Sequence, residues 1–310
     1  MISQYLGIIH PLFPVPSSSV KTGFTTSISA GDKLPQIQIL PLLDEVLGVH
    51  RVNNRTTHQL TVPPSADDDH AQAWEAFFPE GCINPGNKVA PMGGFGFFMK
   101  GPNDFATELG KATSTHVLFN YEVLFESEWE WRKGGKLPGI FGGAGDAAYT
   151  CTGGRQSDGK CFNLRLMWRE NGKGELYAYL PLTSSNTEHL LSVPPRSIQH
   201  PDYGFSVGRG AFTFVPGRWT TIAERIKLNT IGYEDGEIEV FIDGKSVILA
   251  TGLILRDSTA IESRVRGLHF QTFFGGHAPE WASPKTQRAW FTNVSGAILT
   301  DERGIHRDEL

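Results

Sequence analysis

Gly236-Glu237-Ile238-Glu239-Val240-Phe241-Ile242-Asp243-Gly244-Lys245-Ser246-Val247-Ile248 is the stretch whose reading decides the fold. Polar and apolar residues alternate from Glu237 as far as Val240, which sends the two sets to opposite faces of a strand that runs on through Phe241 and Ile242. Asp243-Gly244 then supplies the residue pair of a tight hairpin turn, and a second apolar run returns from it. Upstream, Pro216-Gly217-Arg218-Trp219-Thr220-Thr221-Ile222 opens another strand behind its own turn signal. Working outward, strand-like runs recur at 96–100, 116–125, 161–168, 174–180, 218–228, 237–242, 246–249, 265–274 and 287–299. Turn residues separate nearly all of them and no long helical period intervenes, so the chain reads as all-β, a sandwich of antiparallel sheets.

Composition agrees. Among 310 residues there are 35 Gly, 19 Pro, 20 Phe and 7 Trp, which fits a β protein with many turns and an aromatic core. One large β domain accommodates this length. Residues 72–301 are expected to form it, with 1–71 a partly irregular N-terminal extension and 302–310 a tail. The extension carries Ser17-Ser18-Ser19, a short helix expected over 40–49, and the polar Asp67-Asp68-Asp69-His70. No run is long enough to span a membrane. A net charge of −5 offers nothing to nucleic acid, so an anionic polymer must be caught by a local basic cluster. A monomer is expected.

That cluster lies between Lys133 and Tyr179. Lys133-Gly134-Gly135-Lys136-Leu137-Pro138-Gly139 reads as a basic, Gly-rich turn. Asn163 and Arg165 stand two apart in one strand, and Tyr177 and Tyr179 two apart in the next, so each pair shares a face. The intervening Arg169-Glu170-Asn171-Gly172-Lys173-Gly174-Glu175 has turn residues at its centre, which makes the two runs a hairpin with the four side chains adjacent. Taken singly, each of these residues is more often a packing partner or a solvated charge. Together they suit an anionic, ring-shaped ligand. Gln271 and Phe273 alternate in the strand before Gly275-Gly276 and can line the same surface; His269 shares their parity, and His277 follows the turn.

Cys151 and Cys161 bracket a turn-forming segment that a disulfide can close in an oxidising compartment, whereas Cys82 is left over. No Cys-x-x-Cys or clustered His spacing accompanies them, so zinc is not expected. The sequons Asn54-Arg55-Thr56 and Asn293-Val294-Ser295 agree with an extracellular protein. The first twenty residues lack the basic start and unbroken apolar run of a signal peptide, being interrupted by His10, Pro11, Pro14 and Pro16. Arg307-Asp308-Glu309-Leu310 resembles an endoplasmic-reticulum retrieval tail.

The order of strands resembles the jelly-roll sandwiches of concanavalin-type lectins, in which two antiparallel sheets pack and the concave one holds carbohydrate. More specifically, the sequence resembles polysaccharide lyase family 14, jelly-roll enzymes that cleave alginate or glucuronan, and is closest to their fungal members. The matching pieces are Lys133 to Gly139 with Gly142-Gly143, then Asn163 to Arg169, then Tyr177 to Leu180. Val207 to Gly210, Pro216 to Trp219 and Phe273 to Gly276 follow in order, so that the resemblance covers roughly residues 72–301. It implies that Lys136 is the essential lysine, Arg165 the substrate-binding arginine, and Tyr177 and Tyr179 the paired tyrosines. Asn163 departs from the serine of alginate-cleaving members, which tilts the expected substrate toward glucuronan. No cofactor is implied.

The implied reaction is β-elimination across C4–C5 of a uronic acid. The C5 proton is weakly acidic until the adjacent carboxylate is neutralised, which calls for Lys136, Arg165 and Asn163 as preorganised charge and hydrogen-bond donors. Cations nearby are expected to lower the Tyr177 phenol, making it the base, with Tyr177 or Tyr179 protonating the departing O4; Lys136 is the competing base. Two other classes stay open: a lectin-like module that kept the groove without the chemistry, and a hydrolase that would use Glu126, Glu128 and Glu130, alternating on one strand face.

Overall fold

The computed structural model describes residues 10–153, 159–201 and 203–300. Among these, seventeen strands, numbered in chain order, form two stacked sheets. The eight-stranded sheet runs β11 (Ile198–Gln199), β12 (Phe205–Thr213), β10 (Lys173–Tyr179), β9 (Cys161–Trp168), β8 (Gly135–Gly143), β16 (Arg264–Phe274), β6 (Phe95–Met99), β3 (Val49–His50). The nine-stranded sheet runs β15 (Lys245–Leu253), β14 (Gly236–Ile242), β13 (Trp219–Lys227), β7 (His116–Phe125), β17 (Gln287–Leu299), β1 (Val20–Thr25), β2 (Ile37–Ile39). To this sheet β5 (Ala73–Phe78) adds beside β17, and β4 (Leu60–Thr61) beside β5. Apart from the parallel pair β1 and β2, the pairings are antiparallel, as the jelly-roll expectation requires.

Strand alternation builds the core. Phe162, Leu164, Leu166 and Trp168 of β9 point between the sheets, as do Leu176 and Ala178 of β10 and Phe270 and Phe274 of β16. Val117, Phe119, Tyr121, Val123 and Phe125 of β7 meet them from the opposite sheet. Burying each such large side chain contributes about 1.5–3 kcal/mol. The inward half of every strand thus holds the sandwich together, and the outward half of the eight-stranded sheet is free for polar residues.

The segment before residue 72 supplies strands to both sheets, because β1 pairs with β17 and β3 with β6. Leu12, Phe13 and Val15 also pack on Leu118, Ala223, Phe241 and Ala297, on the outer face of the nine-stranded sheet. The helix expected over 40–49 is absent; the chain turns at 44–48 and enters β3. Leu42 and Leu47 are spaced by packing into the core instead of by a helical period. Gly48, at φ +63°, makes the turn where a Cβ would meet the Gly101 carbonyl oxygen at 2.6 Å.

Asn293 is buried at positive φ and donates to Glu122, so its sequon is closed to a glycan, whereas Asn54 is exposed. The Cys151–Cys161 disulfide is formed. Among the described residues no helix is long and apolar enough to cross a membrane. The retrieval-like tail lies outside the described residues.

His70 pins this outer face. Its Nε2 meets Glu122 Oε2 at 2.6 Å, its Nδ1 meets Asp67 Oδ1 at 2.6 Å, and its ring stacks on Trp219 at 4.5 Å. Burial pulls the imidazole down, but the hydrogen bonds and charges of Glu122 and Asp67 raise it above its ordinary 6.5; Glu122 is lowered from 4.5 against its own burial. The histidine's contribution is complete below 6.5 and fades as pH rises through its folded value, while that of Glu122 fades as pH falls below 4.5. The melting-temperature loss of His70→Ala should therefore be greatest between pH 4.5 and 6.5 and shrink above it. A loss that stays flat or grows toward alkaline pH would contradict this.

Candidate active site

The segment read as a Gly-rich turn is instead the central strand β8, flanked by β9 and β16. Glycine serves close strand approach here. A Cβ on Gly135 would lie 1.9 Å from the Trp168 ring, and one on Gly139 would lie 1.8 Å from the Leu164 carbonyl oxygen. Between Lys136, opposite Met167, and Gly139, opposite Arg165, β8 holds one residue more than β9, so Leu137 and Pro138 form a bulge. The bulge is tied to the other sheet. Tyr121 Oη donates to the Pro138 carbonyl at 3.0 Å, and the Ile140 amide donates to Glu224 Oε2 at 2.8 Å. Glu224 is buried in the core, and burial pushes its carboxyl well above the usual range. Sequence reasoning missed both tethers, since a Tyr and a Glu in strands carry no mark of the strand they will face.

Register places the outward residues on a grid. Lys136 lies level with Phe273 on one side and with Met167 and Glu175 on the other; Arg165 is level with Tyr177, and Asn163 with Tyr179. Lys136 Nζ sits 3.3 Å from the centre of the Tyr177 ring and 5.9 Å from that of Tyr179. Arg165 Nη1 donates to Gln271 Oε1 at 2.6 Å, and its guanidinium lies 5.7 Å from the Phe273 ring centre. Asn163 Nδ2 is 2.9 Å from His269 Nδ1, and the His269 ring stacks on Phe98 at 4.3 Å. The structure thus gathers Lys136, Asn163, Arg165, Tyr177, Tyr179, His269, Gln271 and Phe273 on one face. Cys151 and Cys161 pack with Met167, Tyr177 and Tyr179 at its border. Beyond Asn163 the face continues into Phe98, Phe141 and Tyr149, with His50 Nε2 2.9 Å from Tyr149 Oη. These were not singled out from the sequence, where Phe98 and Phe141 look like core residues.

Lys133 is not part of the gathering; it is exposed and paired with Glu280 at 3.3 Å. The three glutamates proposed for hydrolysis do not share a strand face, because β7 ends at Phe125 and the chain turns at Ser127 and Glu128.

Electrostatically the face is a cationic surface short of anions. Lys136 is 8 % exposed and Arg165 3 %, and Lys136 Nζ, Arg165 Nε and Asn163 Oδ1 are buried without a hydrogen-bond partner. Lys136 Nζ and Arg165 Nε are buried donors without acceptors, which is costly and is the kind of deficit a carboxylate can fill, whereas Asn163 Oδ1 is a buried acceptor and calls for a donor. Burial, followed by the charges of Arg165 and Arg169, holds Lys136 well below its ordinary value, and burial brings Arg165 down to about 10. Burial, followed by the charges of Arg165 and Lys136, holds His269 well below its ordinary value and so favours the neutral ring. Tyr177 goes the other way from expectation. Burial and the neighbouring Tyr179 raise the phenol, and Arg169 offsets this only in part. Contact with the Tyr177 ring favours the lysine ammonium by about 1–2 kcal/mol, too little to reverse its desolvation.

Residues 66–294 match the family model of polysaccharide lyase 14. A marine alginate lyase of that family from Aplysia kurodai is 30% identical, with 87% of this chain and 94% of that one covered at a TM-score of 0.68. An alginate lyase from Chlorella virus shares the fold at 24% identity and TM-score 0.62, covering 82% and 93% of the two chains. The alginate lyase Aly36B, solved with an alginate tetrasaccharide, shares it at 20% and TM-score 0.53, covering 73% and 80%. No curated protein matches the chain. The chain belongs to the polysaccharide lyase 14 family and is a polysaccharide lyase.

Proposed function

We propose that this lyase cleaves a β-1,4-linked uronan by β-elimination on the outer face of the eight-stranded sheet, outside the cell where its disulfide persists and without a cofactor. The observation that carries this is the convergence of Lys136, Arg165, Tyr177 and Gln271, with buried donors awaiting an acceptor. Arg165, Gln271 and Asn163 bind the uronate carboxylate and take up the charge that builds as C5 loses its proton. His269 accepts from Asn163 through Nδ1 and so turns its Nε2–H outward as a further donor.

Lys136 is the better base of the two that the sequence offers, because its surroundings shift it toward the neutral amine whereas those of Tyr177 shift the phenol toward keeping its proton. Lys136 Nζ removes the C5 proton, the electron pair forms the C4–C5 double bond, and the C4–O4 bond breaks. The proton needed by O4 comes from Tyr177, whose hydroxyl belongs to the same cluster. The 30%-identical relative is an alginate lyase, which supports alginate as the first polymer to supply, ahead of the glucuronan suggested by Asn163.

Purified protein given polymannuronate and glucuronan separately should raise the ultraviolet absorbance of an unsaturated uronate on at least one, and a rise confined to the α-1,4-linked polyguluronate would overturn the β-linkage. Binding without that rise would replace the reading with a lectin-like one, and reducing ends without it would point to hydrolysis. Tyr177→Phe should lower kcat by about 10²-fold or more with the melting temperature preserved, as expected for loss of a general acid. A near-normal kcat in that variant would move the acid to Tyr179.

A further inference from the structure

Two residues before Tyr177, on the same face of β10, Glu175 is 0 % exposed. Its Oε1 accepts from Arg169 Nη2 at 2.5 Å, and its Oε2 accepts from Arg209 Nε and from Ser206 Oγ, each at 2.7 Å. Arg209 also donates through Nη2 to Ser206 Oγ at 2.9 Å. Both carboxylate oxygens are therefore spent on partners from other strands or from the loop after β9, and the carboxylate itself is closed to solvent while the Arg209 side chain stays partly exposed. A charge is buried this completely only where its partners compensate it.

The cluster stands level with Lys136, since Lys136 and Glu175 face Met167 from opposite sides. The Arg169 guanidinium lies against Gly134, where a Cβ would come within 3.1 Å of Nη1, two residues before Lys136. Arg169 Nε is buried without a partner. The charged and titratable groups around the lysine are thus Arg165 and Arg169 from the β9 side, Glu175, Tyr177 and Tyr179 on β10, Arg209 on β12 and His269 on β16. Glu175 is the one carboxylate among them, set against three guanidiniums.

We propose that Glu175 is a positioning residue: by holding Arg169 and Arg209 on its two oxygens it fixes, and partly cancels, the positive charge that Lys136 faces. It does not touch substrate, and its consequence is the pH at which Lys136 becomes a free amine. The charge of Glu175 opposes that of Arg165 and Arg169 at the lysine, so its removal makes the ammonium harder to keep. The same removal leaves Arg169 and Arg209 uncompensated, which acts in the same direction.

This rests on the proposed role of Lys136, so the experiment has an arm that does not need turnover. Acylation of Lys136 by a lysine-directed anhydride, followed across pH by mass spectrometry of the intact folded protein, reports its protonation directly. Glu175→Gln should move the half-labelling pH down by about one unit, the size expected of one nearby charge. The acid limb of kcat/KM should move down with it. Arg209→Gln, at a partly exposed position where folding is safer, should move both up, because Glu175 then acts on Lys136 with less cancellation. Opposite shifts in the two variants support the proposal, and a purely structural role does not produce them. Unmoved labelling in Arg209→Gln, or shifts of the same sign in both variants, overturns it. Labelling that shifts as expected in a protein inactive on every uronan would keep the electrostatic role and discard the lyase mechanism.

Discussion

Lys136→Ala should lower turnover by about 10³-fold or more while leaving the melting temperature unchanged or raised. A positioned base contributes about 10²–10⁴-fold to a proton abstraction, and this lysine also adds positive charge once it has taken the C5 proton. The stability side follows from burial. Lys136 Nζ has no hydrogen-bond partner and sits in a strand closed on both sides, where burial disfavours its charged form, so the folded protein gains little from the amine. Truncation relieves that desolvation and forfeits the contact with the Tyr177 ring. Deleting a buried group whose polar end is unsatisfied is much cheaper than breaking a satisfied pair. Steady-state kinetics by absorbance and a thermal melt check the two halves together. A variant that loses activity only through unfolding would assign Lys136 to the scaffold.

The second large effect is on the strand that carries this lysine. Gly139→Ala places a methyl 1.8 Å from the Leu164 carbonyl oxygen and 2.7 Å from Arg165 Cα, both backbone atoms of β9. No rotamer change can relieve a clash with backbone. Strands β8 and β9 must part at the level where Arg165 pairs with Gly139, which costs about 1–3 kcal/mol for overpacking and more if the ladder breaks. Activity should fall further than stability, because the same movement takes Lys136 away from Arg165 and Tyr177, and displacements of about 1 Å cost about 10²-fold. Denaturant midpoints and kcat measured side by side decide this. An alanine variant with wild-type values for both would show that the bulge at Leu137 and Pro138 absorbs the methyl.

Much of this was legible from sequence because it depends on local periodicity. Strands β7, β9 and β17 begin and end where alternation says they should, and the hairpin from Arg169 to Glu175 brings Arg165 opposite Tyr177 as its turn residues imply. Parity alone separated Asn163 and Arg165 from Leu164 and Leu166. The Cys151–Cys161 pairing was legible for a similar reason, since a short turn-rich loop keeps its ends close.

What the tertiary structure decided is whatever depends on residues far apart in the chain. Glycine has the same signature in a turn as in a crowded strand, so β8 looked like a loop until Trp168 and Leu164 were seen against it. The alternating Glu126, Glu128 and Glu130 lost their common face because the chain turns beyond Phe125, a turn that alternation alone does not reveal. The ionisation of the site is also tertiary. Nearby cations favour a tyrosinate when counted from the sequence, but burial disfavours every charge, and at Tyr177 it outweighs Arg169 while at Lys136 it acts together with Arg165 and Arg169. Sequence alone determined the sandwich class, the hairpin and the shared outward face of Asn163, Arg165, Tyr177 and Tyr179. Packing decided which neutral or charged form each of them takes, because desolvation is a property of the assembled surroundings and not of the residue.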